Sequence, residues 1–199
     1  MKHPKKYIDD ELSPEFLLTA YCHGYFPMAE AGTGEIRWYS PDPRAIIELD
    51  ALKISRSLRQ ALRQCRYELK FDTEFSNVIR SCAKRKDTWI SEKIIAAYER
   101  LHSLGFAHSI EAWYGQELAG GLYGVAIGGG FFGESMFHTK RDASKVALVG
   151  LVERLRSHGF TLLDTQFITS HLLSMGATEI PREDYLYRLR KAVGKKCSF

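Results

Sequence analysis

The stretch AHSIEAWYGQELAGGLYGVAIGGGFFGESMF, residues 107–137, decides the fold. Its β-branched and aromatic residues come in three runs separated by short glycine-containing turns, which predicts three strands in a meander. Seven of the chain's sixteen glycines lie between Gly120 and Gly133. Glycine inside strands marks bulges, turns or a close approach of the backbone to a ligand. The pattern therefore fits either a ligand against the sheet or a set of turns alone.

Helix and strand signals surround this meander on both sides. Ser91 is a suitable N-cap and Gly105 a suitable stop for the helix just before it. The predicted elements before the meander are a strand at 67–71 and helices at 74–85 and 91–105. Those after it are a helix at 142–159, a strand at 161–166, a helix at 168–176, a strand at 178–180 and a helix at 181–193. This order predicts an α+β domain whose mixed, mostly antiparallel sheet is flanked by helices.

The element order resembles that of GNAT-like acyltransferases. We therefore predict a GNAT-like catalytic domain at residues 66–199 and a small N-terminal domain at residues 1–65. That smaller part begins with a short helix, with Ser13 as N-cap, Pro14 at its first position and Gly24 as its stop. Residues 25–44 are predicted to be a proline-containing loop, whose aromatics either anchor its packing or offer a stacking surface for a base.

Residues 51–67 have the most distinctive charge pattern. They contain no acidic residue, and five basic residues recur three or four positions apart opposite an apolar face. The pattern predicts an amphipathic helix with a uniformly positive side. Like charges at this spacing repel one another, so the helix either contacts a phosphate backbone or is merely solvated.

The composition is that of an ordinary globular chain. It has 199 residues, 45% of them apolar, and a net charge of +4, which does not by itself indicate nucleic acid. Its four cysteines fit no zinc spacing. No apolar run approaches the roughly 20 residues of a membrane span, and residues 1–16 lack the apolar region of a signal peptide. We therefore expect a cytoplasmic protein that binds neither a metal nor a membrane.

A few polar residues in apolar surroundings are candidates for chemistry. Glu134 follows glycines and aromatics, where a carboxylate is costly unless it is paired. Asp164 and Gln166 lie two positions apart in a predicted strand and share a face. Such a pair either accepts a proton and orients a carbonyl, or only bonds to neighbouring strands. We expect no catalytic role for His171, and Ser144 has no histidine base nearby in the sequence.

Residues 138–145, HTKRDASK, connect the last strand of the meander to the next helix. Acetyl-CoA users of this fold bind the diphosphate at a glycine-containing loop in this position. The connection contains no glycine, which argues against acetyl-CoA as donor. An acyl-CoA-dependent N-acetyltransferase is thus the weaker enzyme hypothesis, and an RNA-binding module that uses only the basic helix is the non-enzyme alternative.

Several long segments together resemble the leucyl/phenylalanyl-tRNA–protein transferase family. They include AYCHGYFPM, WYSPDPR, KISRSLRQ, DTWI, ELAGGLYGVAIGGGFFGESMF and LLDTQ, and they run from about residue 12 to the final helix. The resemblance implies an enzyme that passes leucine or phenylalanine from its tRNA to the N-terminal Arg or Lys of a protein, which marks that protein for degradation. Leucyl-tRNA and phenylalanyl-tRNA would be the donors, and no cofactor is implied.

The resemblance also assigns roles to residues of this chain. The catalytic group would be Asp164, Gln166 and Glu134. The apolar pocket for the donor side chain would be Leu122, Phe131, Met136, Leu148 and Leu151. The surface that meets the terminal adenosine of the tRNA would be Met28, Trp38 and Trp89. The basic helix at the acceptor stem would contribute Arg56, Arg59 and Arg63.

Two points about these roles depend on geometry. The resemblance implies that Asp164 acts on the attacking amine through or beside Gln166, which would orient the donor. The choice between Asp164 and another group as general base stays open, and Glu134 could help catalysis directly or only hold Gln166. Phe131 and Met136 have odd spacing, so they can share a face only if a bulge or a strand end lies between them. An acceptor with two positive groups would suit a site lined by Glu134 and Asp164, which predicts that acidic N-termini are rejected.

Overall fold

The computed structural model describes residues 11–85 and 88–199. The predicted lack of a signal peptide falls largely on residues 1–10, which lie outside the described residues, as do Lys86 and Asp87. The helices are α1 (Pro14–Cys22), α2 (Arg56–Arg63), α3 (Phe75–Ala83), α4 (Glu92–Ser103), α5 (Ala143–Ser157), α6 (Ser170–Ser174) and α7 (Arg182–Val193). The strands are β1 (Phe26–Ala29), β2 (Ile36–Tyr39), β3 (Arg44–Ile47), β4 (Glu68–Phe71), β5 (Ala107–Tyr114), β6 (Glu117–Ile127), β7 (Gly130–His138), β8 (Leu162–Gln166) and β9 (Thr178–Ile180).

Seven strands form one sheet in the order β4-β5-β6-β7-β8-β3-β9, and β1 and β2 form a separate hairpin. Within the described residues only the β7–β8 pair is parallel. Two apolar clusters cover the faces of the large sheet. Helices α1, α3, α4 and α7 contribute to the first cluster, and α2 and α5 to the second. The predicted mixed, mostly antiparallel sheet flanked by helices is therefore confirmed, while its GNAT-like assignment stays a prediction.

Local signals placed the starts of α1 and α4 correctly. The Ser13 hydroxyl accepts the backbone N–H of Phe16 at 3.3 Å, and the Ser91 hydroxyl accepts that of Ile94 at 3.4 Å. Each bond satisfies an N–H that has no partner inside the first turn of the helix. The meander and the final helix also lie where the sequence predicts them.

The prediction of a loop at residues 25–44 is wrong for residues 26–29 and 36–39, whereas residues 38–44 are extended or turning as their prolines predict. This segment forms the hairpin of β1 and β2, with Pro27 paired opposite Trp38, and then enters β3. Proline is tolerated there because the hairpin consists of edge strands. Strand β3, which lies between β8 and β9, was not predicted, since a short, fully buried apolar run has no alternation to reveal it. It puts part of the predicted N-terminal domain into the main sheet, and the division at residue 65 stays a prediction.

The basic helix is shorter than predicted. Instead of residues 51–67, it covers only Arg56–Arg63. Before it, the chain is extended, because Lys53 donates its backbone N–H to the carbonyl of Met175 at 2.9 Å. After it, Cys65 has a φ of 46° and turns the chain out of the helix. Lys53 and Arg66 therefore do not extend the positive side of the helix itself.

Candidate active site

A cleft of about 440 Å³ opens where two strands of the large sheet separate. Strands β7 and β8 pair from Gly130–Leu162 to Phe132–Asp164 and diverge beyond that point. Residues of α5 and α6 close the space between them. A gap between neighbouring strands is a natural binding place, since it exposes side chains from both strands and both apolar layers to one cavity.

A β-bulge lies on each side of this gap. In β7 the register shifts so that Glu134 has no partner on β6, and in β8 it shifts so that Thr165 has no partner on β3. Gln166 follows with a φ of 66°, in the left-handed region that a side chain other than Asn or Asp rarely adopts. Bulges and such backbone strain concentrate at functional sites, because they aim side chains that a regular strand would misplace.

The bulge at Glu134 resolves the odd spacing of Phe131 and Met136. Both side chains pack with the second apolar cluster, on the α5 face of the sheet. Phe132, by contrast, packs into the first cluster on the opposite face. The extra residue between them therefore reverses the alternation along β7, as the predicted shared face requires.

One half of the cleft is apolar. Of the five residues predicted for the donor side chain, Leu122, Met136, Leu148 and Leu151 line it, and Leu163 joins them from β8. Phe131 does not line the cleft. It is fully buried on the same face, with its ring centroid 5.4 Å from that of Phe199. Phe131 therefore packs behind the residues that line the apolar half of the cleft.

The other half of the cleft is built around Glu134, which is only 7% exposed. Its Oε1 accepts the Tyr21 hydroxyl and the side-chain amide of Gln166, both at 2.7 Å, and its Oε2 accepts the Tyr98 hydroxyl at 3.2 Å. Burial raises the pKa of Glu134 to about 7, against the lowering effect of these hydrogen bonds, and Asp164 adds to the rise. A carboxyl that titrates near neutrality is suited to exchange a proton with a substrate.

Asp164 has a different setting and does not line the cleft. The Arg44 guanidinium holds it at two points, with Nε to Oδ1 at 2.9 Å and Nη2 to Oδ2 at 2.6 Å. The Tyr185 hydroxyl donates to Oδ2 at 2.7 Å, and the backbone N–H of Gln166 donates to Oδ1 at 2.8 Å. The fork pairs a buried charge with a full counter-charge, and the last bond fixes the left-handed backbone at Gln166.

Gln166 therefore joins the two carboxyl groups, with its backbone bonded to Asp164 and its side chain to Glu134. The structure brings the three predicted catalytic residues into one buried network. The sequence did not reveal the rest of that network: Tyr21, Arg44, Tyr98 and Tyr185. Apolar periodicity marks the tyrosines only as core residues, and Arg44 follows two prolines in a segment interpreted as a loop.

The residues predicted to meet the terminal adenosine lie together, although only one reaches the cleft. Trp89 lines the cleft. The hairpin that carries Met28 and Trp38 adjoins it, because Ala29 donates its backbone N–H to the carbonyl of Trp89 at 3.1 Å. The Trp38 ring meets Phe16 edge to face, with 5.2 Å between centroids.

The predicted acceptor-stem arginines lie on α2, away from the cleft lining. Arg56, Arg59 and Arg63 are all exposed, and Leu58 and Ala61 on the opposite side of the helix are buried. In the part of the chain that the structure describes, none of the three forms an ion pair. The helix thus presents three unneutralised charges to solvent.

Several cleft residues were missed or discounted from the sequence. His138 lies with its Nδ1 3.4 Å from the buried Ser144 hydroxyl, so that serine has a spatial histidine neighbour after all. His171 lines the cleft, and its Nε2 has no hydrogen-bond partner among the described residues. Burial lowers its pKa, and Lys145 and His138 lower it further. These residues come from β7, α5 and α6 and meet only in the folded chain, so no local sequence pattern could have revealed that they are neighbours.

Two kinds of feature are absent from residues 11–85 and 88–199. No group of three or more His, Cys, Asp or Glu side chains is arranged to hold a metal ion. No helix in these ranges has the length and apolar character needed to cross a membrane.

Two family models and three curated relatives that match this chain belong to one family. The family model for leucyl/phenylalanyl-tRNA protein transferase matches residues 46–190, and that for its N-terminal domain matches residues 10–42. Curated relatives named leucyl/phenylalanyl-tRNA–protein transferase include one from Gloeobacter violaceus, 54% identical over 94% of this chain and 97% of its own. One from Rubrobacter xylanophilus is 55% identical over 92% of this chain and 95% of its own. One from Akkermansia muciniphila is 51% identical over 94% and 98%.

Among solved structures, that of L-PGS from Bacillus licheniformis aligns with 92% of this chain and 71% of its own. The two are 12% identical, and the TM-score is 0.46.

Proposed function

Because the chain belongs to the leucyl/phenylalanyl-tRNA–protein transferase family, it is an aminoacyltransferase, and we propose that its acceptors are proteins with an N-terminal Arg or Lys. It transfers leucine or phenylalanine from tRNA to these N-termini. The observation that carries the proposal is that one cleft has both an apolar half and a half that contains a carboxyl group. Such a cleft can hold a leucyl or phenylalanyl side chain beside a cationic N-terminus.

The apolar half suits the donor side chain. Its leucines and Met136 favour leucine and phenylalanine over polar side chains by hydrophobic transfer. A missing methylene changes binding in such a pocket by only about 1–3 kcal/mol. Selection against valine and isoleucine therefore depends on shape, and some transfer of methionine is expected.

The polar half suits the acceptor. Glu134 is the only carboxyl group on the described cleft lining, so selection of a basic N-terminus and rejection of an acidic one rest on this residue. Asp164 is already matched by Arg44 and contributes by positioning Gln166. The sequence predicted that both carboxyl groups face the cationic acceptor, whereas in this proposal Glu134 faces it and Asp164 positions Gln166.

Glu134 also suits the role of proton acceptor in the reaction. An N-terminal amine has an ordinary pKa of about 8, close to the value of about 7 for Glu134. Near-equal values let the proton move at little cost as the amine attacks. Glu134 takes one proton from the ammonium form, and the neutral nitrogen then bonds to the ester carbonyl carbon. The bond from that carbon to the ribose oxygen breaks, a second proton from the nitrogen passes to the leaving oxygen, and Glu134 releases its own proton to solvent.

The tRNA is placed by two surfaces in this proposal. Trp89 and the adjoining hairpin would stack on the terminal adenosine, and the unneutralised arginines of α2 would contact phosphates of the acceptor stem. Aminoacyl-tRNA is the donor of ribosomal protein synthesis, so a cytoplasmic location follows from the proposal.

The test is transfer of labelled leucine from its tRNA to a protein that begins with Arg. Label in acid-stable protein is expected, and RNase treatment of the donor should abolish it. The same protein beginning with Asp is the matched control and should stay unlabelled. Equal labelling of both proteins would contradict the acceptor specificity, and acetyl transfer from acetyl-CoA without tRNA would contradict the donor.

A further inference from the structure

Tyr123 has a buried hydroxyl that nothing described in the structure satisfies. The residue is fully buried on β6 and lines the cleft, and its Oη has no hydrogen-bond partner among the described residues. Leaving a buried hydroxyl unpaired is destabilising. A polar atom of this kind in the wall of a binding cleft indicates a partner that arrives with a substrate.

Its neighbours sharpen the contrast. The Tyr98 ring meets the Tyr123 ring edge to face at 5.7 Å between centroids, and Tyr98 and Tyr21 both donate to Glu134. Tyr123 does not, although Glu134 lies near enough to raise the pKa of Tyr123 beyond the rise due to burial. Three tyrosines therefore lie around one carboxyl group. Two of them donate hydrogen bonds to it, and the hydroxyl of the third has no partner among the described residues.

Counting hydrogen-bond acceptors around this point shows what is missing. Oε1 of Glu134 already accepts two bonds, and Oε2 accepts one and has room for another. The Gln166 side chain uses its nitrogen, so its carbonyl oxygen accepts no bond from the described residues. With the Tyr123 oxygen, these make three open acceptors at the polar half of one cleft.

An amine in its charged form has three N–H donors. We infer that Tyr123 is a substrate-binding residue whose hydroxyl oxygen accepts a hydrogen bond from the N-terminal amine of the acceptor protein. Glu134 Oε2 and the Gln166 carbonyl oxygen take the other two N–H groups. The inference rests on the proposed function, since it names the group that holds the acceptor in that reaction.

The test is Tyr123→Phe, which removes only the hydroxyl. The KM for a peptide beginning with Arg should rise by about 10- to 100-fold, the factor of one hydrogen bond to a charged group. The KM for leucyl-tRNA and the pH dependence of the rate should stay as in the wild type. The thermal midpoint should stay level or rise, because the substitution removes an unpaired polar group from the interior.

Two comparison variants separate this role from a structural one. Tyr114→Phe removes a hydroxyl from an exposed tyrosine at the end of β5 and should change neither KM. Tyr98→Phe removes a donor from Glu134 and should shift the pH dependence of the rate to higher pH. An unchanged acceptor KM in Tyr123→Phe would overturn the inference, and so would a shift in pH dependence like that of Tyr98→Phe.

A binding measurement distinguishes failure of the inference about Tyr123 from failure of the proposed function. Calorimetry with the same peptide, free or N-acetylated, reports the amine contact without any transfer. The free peptide should bind wild type more tightly than the acetylated one, and Tyr123→Phe should reduce that difference. If wild type transfers no leucine, the proposed function fails; if it transfers leucine but the difference survives in Tyr123→Phe, only the inference fails.

Discussion

Two buried carboxyl groups in one network are treated in opposite ways by their surroundings. Asp164 receives the fork of a guanidinium, a phenol and a backbone N–H, and no part of it faces the cleft. Glu134 receives two phenols and an amide, all of them neutral, and lies in the cleft wall. The first site has a full counter-charge, and the second has only dipoles.

The difference suits the two carboxyl groups to two roles: Asp164 to positioning its neighbour, and Glu134 to exchanging a proton. A paired charge gives up its partner only at great cost, so Asp164 is suited to fix the conformation of the residue beside it. A carboxyl group without a counter-ion changes its protonation easily, as the pKa of about 7 for Glu134 expresses. Burial of the guanidinium would lower the pKa of Arg44, but Asp164 raises it above its ordinary value, so the guanidinium stays charged.

The largest expected effect is on the rate when the reacting carboxyl group is neutralised. Glu134→Gln keeps the shape of the side chain but removes the proton acceptor, so the rate of leucyl transfer at saturating substrates should fall by about 10²- to 10⁴-fold. Binding of tRNA, measured by filter retention, should not change. Glu111→Gln, at another buried carboxyl group that does not line the cleft, is the matched control. An equal loss in both variants would attribute the effect to folding.

The next effect is on stability when the holding carboxyl group loses its counter-charge. Arg44→Met should lower the free energy of unfolding by about 3–5 kcal/mol, since it leaves Asp164 buried and unpaired. Urea denaturation measures the loss. Adding Asp164→Asn should recover much of it, because the second change removes the stranded charge. A double variant no more stable than Arg44→Met would show that packing of the guanidinium, and not charge, dominates.

A third effect is the pH dependence of stability that Glu134 imposes. Its ordinary pKa is 4.5 and rises to about 7 in the fold, so between these values the folded chain holds a proton that the unfolded chain has lost. Stability from this group is therefore present at low pH and is lost as the pH rises, by about 3 kcal/mol in all. Urea denaturation at pH 5 and pH 8 should show this decline in wild type but not in Glu134→Gln. Parallel declines would mean that Glu134 is not the group responsible.

The smallest effect should come from a change that leaves both carboxyl groups untouched. Arg59→Ala with Arg63→Ala should weaken tRNA binding by about 10-fold and flatten its salt dependence, since two phosphate contacts are lost. The rate at saturating tRNA should stay unchanged. Lys93→Ala with Arg100→Ala, two exposed positions on α4, is the control pair. An unaltered salt dependence of tRNA binding would show that the tRNA does not contact α2.

Much of the fold could be predicted because its elements carry local signals. The meander has alternation and turns, and the capped helices have a serine at the start and a glycine after the end. Strand β3 has neither, since it is buried on both sides and pairs with strands more than 100 residues later in the chain. The hairpin was missed because its prolines were interpreted as loop signals, whereas edge strands tolerate proline.

The candidate site could be predicted only in part, and for a related reason. Glu134 and Gln166 stand out as polar residues in apolar runs, and they do face the cleft. The contrast between Glu134 and Asp164 depends on which partners reach them. Tyr21 lies 113 positions from Glu134 and Arg44 lies 120 positions from Asp164, so no local pattern could reveal either contact. A one-dimensional pattern identifies charges, but their neutralisation is a property of the folded molecule.

The extra residue at the β7 bulge acts as a phase shift in the strand. Before it, odd-numbered positions such as Phe131 face α5, and after it even-numbered positions such as Met136 do. Deleting one residue here, for example Gly133, would restore a regular strand and turn Met136 toward the opposite layer. In the proposed function, β7 can contribute to both substrate sites because the side-chain alternation reverses at the bulge. The length of β7 between Phe132 and Met136 therefore cannot change by a single residue without turning Met136 out of the apolar half of the cleft.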